Sequence, residues 1–221
     1  MEIDKLQYIS QASAKGSHLD AIENVLKAGG KWVQLRVKEQ PQDVVFKLAI
    51  EARDLCMKYG AKLIINDYPE IALRSAAFGV HLGLEDMPVP EARLILGKDK
   101  CIGGTANTFE DIVRRADEGA DYIGLGPFRF TATKKNLSPV LGINGYGRLL
   151  LRARKAGITI PVVAIGGIDI TDVASLLKTG VHGVAVSALL SRGYDLQKQF
   201  SLLKQEIDLQ SKQYVYVKNS R

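Results

Sequence analysis

Short runs of apolar and β-branched residues alternate with longer amphipathic stretches along the whole chain. Eight runs have strand character: 6–10, 32–36, 62–66, 79–83, 101–105, 122–127, 162–166 and 183–187. They are short, continuous and bounded by turn residues, as strands buried on both faces are. Helical periodicity follows over 19–28, 42–58, 70–75, 90–96, 109–118, 144–155, 171–178 and 196–209. Glycines at 29–30, 60, 119, 157 and 180 stop five of these helices, each just before a strand. Such alternation implies parallel strands joined by right-handed crossovers. Eight repeats in 221 residues predict a closed (β/α)8 TIM barrel, because an open doubly wound sheet usually has fewer strands. One domain over 1–221 is expected, with 211–221 as a short extra strand or a frayed end.

A hydrophobic content of 46% suffices for one sizeable core. The longest apolar stretch, near 161–168, is far too short to span a membrane, and Met1-Glu2-Ile3-Asp4-Lys5 lacks a signal-peptide pattern. A soluble, cytoplasmic protein is expected. Cys56 and Cys101 have neither metal-ligand nor redox spacing, so both are expected in the core as thiols. A net charge of +6 favours anionic partners. The cations are scattered, and aromatic residues make up only 7%, which leaves little for a base-stacking surface. Small phosphorylated molecules are therefore the expected partners, rather than nucleic acid or a membrane; a homo-oligomer is left open.

The active site of a (β/α)8 barrel lies at the C-terminal ends of its strands, where the βα loops converge. In this chain those ends are polar. Gln34-Leu35-Arg36-Val37-Lys38 places Gln34, Arg36 and Lys38 on one face by its period of two, a fork and a point charge suited to a diphosphate. Strands three and four lead into Asn66-Asp67 and Glu85-Asp86. Two carboxylates at one mouth suit Mg²⁺, which fills its remaining positions with water and substrate phosphate. The alternative is that Asp67 and Asp86 are helix N-caps, and spacing does not separate Glu85 from Asp86 as the ligand. Thr105 ends strand five, while His81 reads as a packing residue inside the barrel and His18 as a helix start. The longest βα connection, through Thr131-Ala132-Thr133-Lys134-Lys135 to Gly142, has the length of a binding loop or lid. Gly166-Gly167 and Val186-Ser187 end strands seven and eight, the usual phosphate site of this architecture.

Taken together these segments resemble the thiamine phosphate synthase family, also called thiamine-phosphate pyrophosphorylase. The resemblance runs from Trp32 to Ser187 and rests on Gln34-Leu35-Arg36-Val37-Lys38, Asn66-Asp67, His81-Leu82-Gly83-Leu84-Glu85-Asp86, the Gly119–Pro127 segment, Thr131-Ala132-Thr133-Lys134, Ala164-Ile165-Gly166-Gly167-Ile168 and Val186-Ser187. It implies a transferase joining 4-amino-5-hydroxymethyl-2-methylpyrimidine diphosphate to hydroxyethylthiazole phosphate or its carboxylated form, releasing pyrophosphate by a dissociative route. By the same resemblance Gln34, Arg36, Lys38, Asn66, Thr105 and Lys134 hold the pyrimidine diphosphate. Arg36, Lys38 and Lys134 stabilise the departing charge, and Asp67 and Asp86 bind Mg²⁺. Thr131, Thr133, Gly167, Val186 and Ser187 hold the thiazole phosphate.

The chain departs from the family pattern at Leu84 for Gln, Thr105 for Ser, Asn107 for His and Ala132 for Pro, and its strand-eight segment reads as one residue short. Two other readings share many of these motifs: a thiazole tautomerase, lacking the diphosphate site, and a catalytically silent module that binds a phosphate ester. Retention of Asn66-Asp67, Asp86 and Thr133-Lys134 favours the synthase.

Overall fold

The computed structural model describes residues 1–12, 16–130, 139–191 and 195–219. Eight parallel strands close into a barrel in sequence order: β1 (Leu6–Ile9), β2 (Trp32–Leu35), β3 (Lys62–Asn66), β4 (Gly79–Leu82), β5 (Cys101–Ala106), β6 (Tyr122–Leu125), β7 (Val162–Ile165) and β8 (Gly183–Val186). The ring is completed by β8 against β1, with Leu6 opposite Val184 and Tyr8 opposite Val186. The strand-eight segment thus closes the barrel despite its shortness.

Around the barrel lie α1 (His18–Lys27), α2 (Gln42–Lys58), α3 (Pro69–Arg74), α4 (Val89–Leu96), α5 (Phe109–Asp117), α6 (Gly142–Lys155) and α7 (Ile170–Thr179). They are followed by a four-residue α8 (Ala188–Ser191) and by α9 (Leu196–Asn219). Residues 211–219, expected as a strand or frayed end, continue α9 instead. The added length is consistent with the helix-forming run Leu202-Leu203-Lys204-Gln205-Glu206, which carries no Gly or Pro to stop it before the tail. Among the described residues no helix is long and apolar enough to cross a membrane.

The period of two in the strands separates two cores. Val33, Leu35, Leu63, Ile65, Val80, Leu82, Ile102, Ile123, Leu125 and Val184 face the helices. Ile9, Trp32, Ile64, Cys101, Tyr122, Val163 and Ala185 fill the barrel. Both cysteines are free and buried, and burial pushes each thiol up to about 12. On the inward face polar residues follow the apolar ones toward the C-terminal rim: Gln34 after Trp32, Asn66 after Ile64, Thr105 after Cys101. The barrel therefore has a dry floor and a polar mouth.

Candidate active site

A cavity of about 970 Å³ opens at the C-terminal ends of the strands, and Gln34, Arg36, Lys38, Asn66, Asp67, Asp86, Thr105, Gly167, Val186 and Ser187 all line it. Strand order alone brings these ten together from six different strand ends. Thr131, Thr133 and Lys134, with the rest of the expected binding loop, lie outside the described residues.

Asp67 follows β3 with φ of 71°, a left-handed conformation that costs most L-residues about 1–2 kcal/mol. An Asp tolerates it better than a branched residue would. Its amide donates to His81 O at 2.9 Å, and its carboxylate pairs with the Lys38 ammonium. Burial raises the Asp67 pKa, Lys38 opposes the rise, and the neighbouring Asp86 carboxylate adds to it. Asp86 accepts from the Gly83 amide at 2.6 Å. A side chain at Gly83 would place its Cβ 2.8 Å from Asp86 Oδ2, so glycine is what admits the carboxylate. Neither acid caps a helix: the N-cap of α3 is Tyr68 and that of α4 is Pro88, both without a side-chain cap. The helix-cap alternative therefore falls away.

Two carboxylates held against each other, with one lysine paired to Asp67, fit a divalent cation, which would relieve their repulsion. Among the described residues no group of three or more His, Cys, Asp or Glu could hold a metal ion, so water and substrate oxygens would complete the shell of a cation on the two aspartates. Asn66 lines the mouth beside Asp67, and its buried Nδ2 has no hydrogen-bond partner, a donor that a bound ligand could satisfy. Burial lowers the Arg36 pKa and Asp67 opposes that, but the guanidinium stays charged.

The side chain of Val186 packs in the outer core, so it can offer the mouth only its backbone. Gly167, at φ 66°, leaves no room for a side chain: its Cβ would lie 3.0 Å from Phe130 O. Arg129 forks onto Asp172 of α7 at 2.8 and 2.9 Å and donates to Gly167 O at 2.9 Å, which ties the β6 exit to the β7 exit.

Three further residues contribute to the mouth beyond the expected binding set. His18, expected only as a helix start, lines the cavity, with Nδ1 2.9 Å from Ser10 Oγ. Ser10 Oγ in turn accepts from the Arg36 amide at 3.0 Å. Burial, then Arg36, lowers the His18 pKa. Arg115, from α5, is fully buried and donates to Gly83 O at 2.7 Å and Thr105 O at 3.2 Å while pairing with Glu118 at 2.8 Å. Gly104 makes the space for it: a Cβ there would stand 2.6 Å from Arg115 Cδ. Asn107 donates to Gly126 O and so braces the mouth between β5 and β6. His81 sits inside the barrel as expected and is hydrogen-bonded through both ring nitrogens.

A family model described as thiamine monophosphate synthase matches residues 6–190. The chain is 49% identical over 191 residues to the thiamine-phosphate synthase of Phocaeicola vulgatus, covering 86% of this chain and 92% of that one. It is 50% identical over 188 residues to that of Flavobacterium johnsoniae, covering 85% and 89%. Among solved structures, thiamine phosphate pyrophosphorylase from Pyrococcus furiosus superimposes with a TM-score of 0.81 at 30% identity, covering 93% of this chain and 96% of that one. The barrel, the polar rim and these relatives agree, and the chain belongs to the thiamine monophosphate synthase family.

Proposed function

We propose that this protein is a thiamine phosphate synthase, joining 4-amino-5-hydroxymethyl-2-methylpyrimidine diphosphate to hydroxyethylthiazole phosphate, or its carboxylated form, with release of pyrophosphate. The observation that carries this reading is the convergence of Arg36, Lys38, Asn66, Asp67, Asp86 and Thr105 on one cavity, with the Asn66 amide still lacking a partner.

The reaction expels a diphosphate, so the site must stabilise negative charge as it develops. The partly buried guanidinium of Arg36 and the ammonium of Lys38 supply positive charge at one wall, and Asn66 and Thr105 supply neutral donors. Lys134 adds a cation from the loop. Asp67 and Asp86 would hold Mg²⁺, which when bound neutralises diphosphate oxygens and eases their departure. Lys38 is half-exposed, with 47% of its side chain open to solvent, and so is free to turn from Asp67 to the diphosphate once the carboxylates have a cation. At the opposite wall Gly167 and the backbone at Val186, with Ser187, would receive the thiazole phosphate, joined by Thr131 and Thr133. No side-chain nucleophile is needed, because the thiazole nitrogen attacks; the dry floor and the shared mouth hold the two substrates in line.

The test is turnover: both substrates are incubated with the protein, with and without Mg²⁺, and thiamine phosphate and pyrophosphate are measured. Equal release of both products, dependent on Mg²⁺, is expected. Binding without product would make the protein a binding module, and conversion of a thiazole carboxylate without pyrimidine diphosphate would make it a tautomerase.

A further inference from the structure

The barrel interior beneath the mouth is crossed by a chain of side-chain hydrogen bonds. Gln34 Nε2 donates to Gln7 Oε1 at 3.2 Å, and Gln7 Nε2 donates to the Tyr122 hydroxyl at 3.3 Å. The Tyr122 hydroxyl is 3.0 Å from His81 Nδ1, and His81 Nε2 is 3.0 Å from Thr105 Oγ1. Five strands contribute, and Gln7, Gln34, Tyr122 and His81 are all buried. Both ends of the chain, Gln34 and Thr105, line the mouth.

The fold sets space aside for the middle of this chain. A Cβ at Gly103 would fall 2.2 Å from the Tyr122 ring and 2.6 Å from His81 Nδ1, and one at Gly124 would fall 2.8 Å from His81 Cε1. Both glycines point into the barrel, where a small apolar side chain would otherwise fill the core. Glycine in a strand interior is unfavourable, so the two positions give up stability to seat the histidine and the tyrosine.

Donor counting gives the chain a direction. Gln7 uses its carbonyl oxygen for Gln34 and donates to the tyrosine oxygen. The single Tyr122 proton then has His81 Nδ1 as its acceptor. A histidine that accepts at Nδ1 carries its proton on Nε2, and that proton goes to Thr105 Oγ1. Thr105 is left with a hydroxyl proton to give, and Gln34 with a carbonyl oxygen to receive. Each bond polarises the next, which favours one direction throughout over a mixture.

We propose that Gln7, Tyr122 and His81 are positioning residues forming a one-way relay that presents the mouth with an acceptor at Gln34 and a donor at Thr105. That pair suits a substrate with an amino group at one edge and an anionic tail at the other. The inference rests on the synthase reading for its substrate, the aminopyrimidine diphosphate, but the relay itself is a property of the protein alone.

Two measurements test it separately. Long-range ¹H–¹⁵N spectra of the histidine rings, with His81 assigned through a His81→Gln variant, should show wild-type His81 protonated at Nε2 with Nδ1 as acceptor. Tyr122→Phe, which removes the donor, should shift His81 toward the other tautomer. Wild-type His81 protonated at Nδ1 would overturn the relay whatever the protein catalyses.

Kinetically, Tyr122→Phe and Gln7→Leu should each raise KM for the pyrimidine diphosphate about fivefold, the scale of one neutral hydrogen bond. KM for the thiazole phosphate should stay within about twofold, and the double variant should be no worse than the worse single, because either break interrupts one chain. Additive losses that raise both KM values alike would mark a merely structural role and overturn the proposal. So would unchanged kinetics in both variants, if one fails to fold the other deciding alone. If the wild type makes no thiamine phosphate, the synthase reading fails, and the tautomer spectra still decide the relay.

Discussion

Asp67 shows why single side chains in this site separate activity from stability. Its carboxylate is partly buried, faces Asp86 and has its pKa raised. A raised carboxylate pKa means that the charged form is held at a cost, so above that pKa the charge works against the fold. Asp67→Asn removes the charge, keeps the size and tolerates the left-handed backbone. We expect synthase activity to fall by about 100-fold or more, the range seen on losing one electrostatic stabiliser, while the melting temperature holds or rises. Mg²⁺ should raise the melting temperature of the wild type but not of the variant. Lost stability with activity retained would contradict this assignment. His18 has the opposite sign. Its pKa is lowered, so as pH falls through about 6.5 the unfolded chain takes up a proton before the folded one does. Stability is therefore lost between the unfolded pKa and the lower folded one. Melting curves from pH 7 to 5 should fall more steeply for the wild type than for His18→Gln; parallel curves would contradict it.

At the scale of elements, α5 does more than cover the barrel. Arg115 reaches through the gap left by Gly104 to hold the exits of β4 and β5 by their carbonyls, beside Asp86 and Thr105. Arg115→Leu would leave the partly exposed Glu118 unpaired and two part-buried carbonyls unsatisfied, a loss of about 1–3 kcal/mol by the usual cost of an unsatisfied polar group. Urea denaturation should read that loss, and a change below about 1 kcal/mol would show that the guanidinium is dispensable. This contact was not legible in the sequence, because a cation in a helical pattern reads as solvent-facing and its counterpart lies on another strand. The eight strands were legible because burial on both faces leaves short apolar runs with clear stops, and each observed strand falls within two residues of its expected place. Period two was enough to bring Gln34, Arg36 and Lys38 to one mouth. The four-residue α8 was invisible, being barely one turn and too short for any periodicity to register. Val186 was placed at the right rim, but a residue list does not tell a backbone contribution from a side chain facing the helices.

At the scale of the whole molecule, the closed ring makes the last helix part of the barrel rather than an appendage. A (β/α)8 barrel needs a cover over the seam between β8 and β1, and the helix after β8 here is the single-turn α8, too short to serve. α9 supplies that cover by packing on α7, α8 and α1. Its anchors are Phe200, Leu203 and Ile207, all buried, each worth about 1.5–3 kcal/mol on leaving water. Together they approach the roughly 5–15 kcal/mol by which a domain of this kind is stable. All three lie before residue 210, so the position of a truncation should matter more than its length. A chain ending at residue 195 should be insoluble or molten, with apolar surface exposed on α1 and α7. A chain ending at residue 210 keeps these three anchors and should melt within about 3 °C of the full protein, the shift expected from under 1 kcal/mol in a chain of this size. Soluble, cooperative unfolding of the shorter chain would show that the barrel closes without α9.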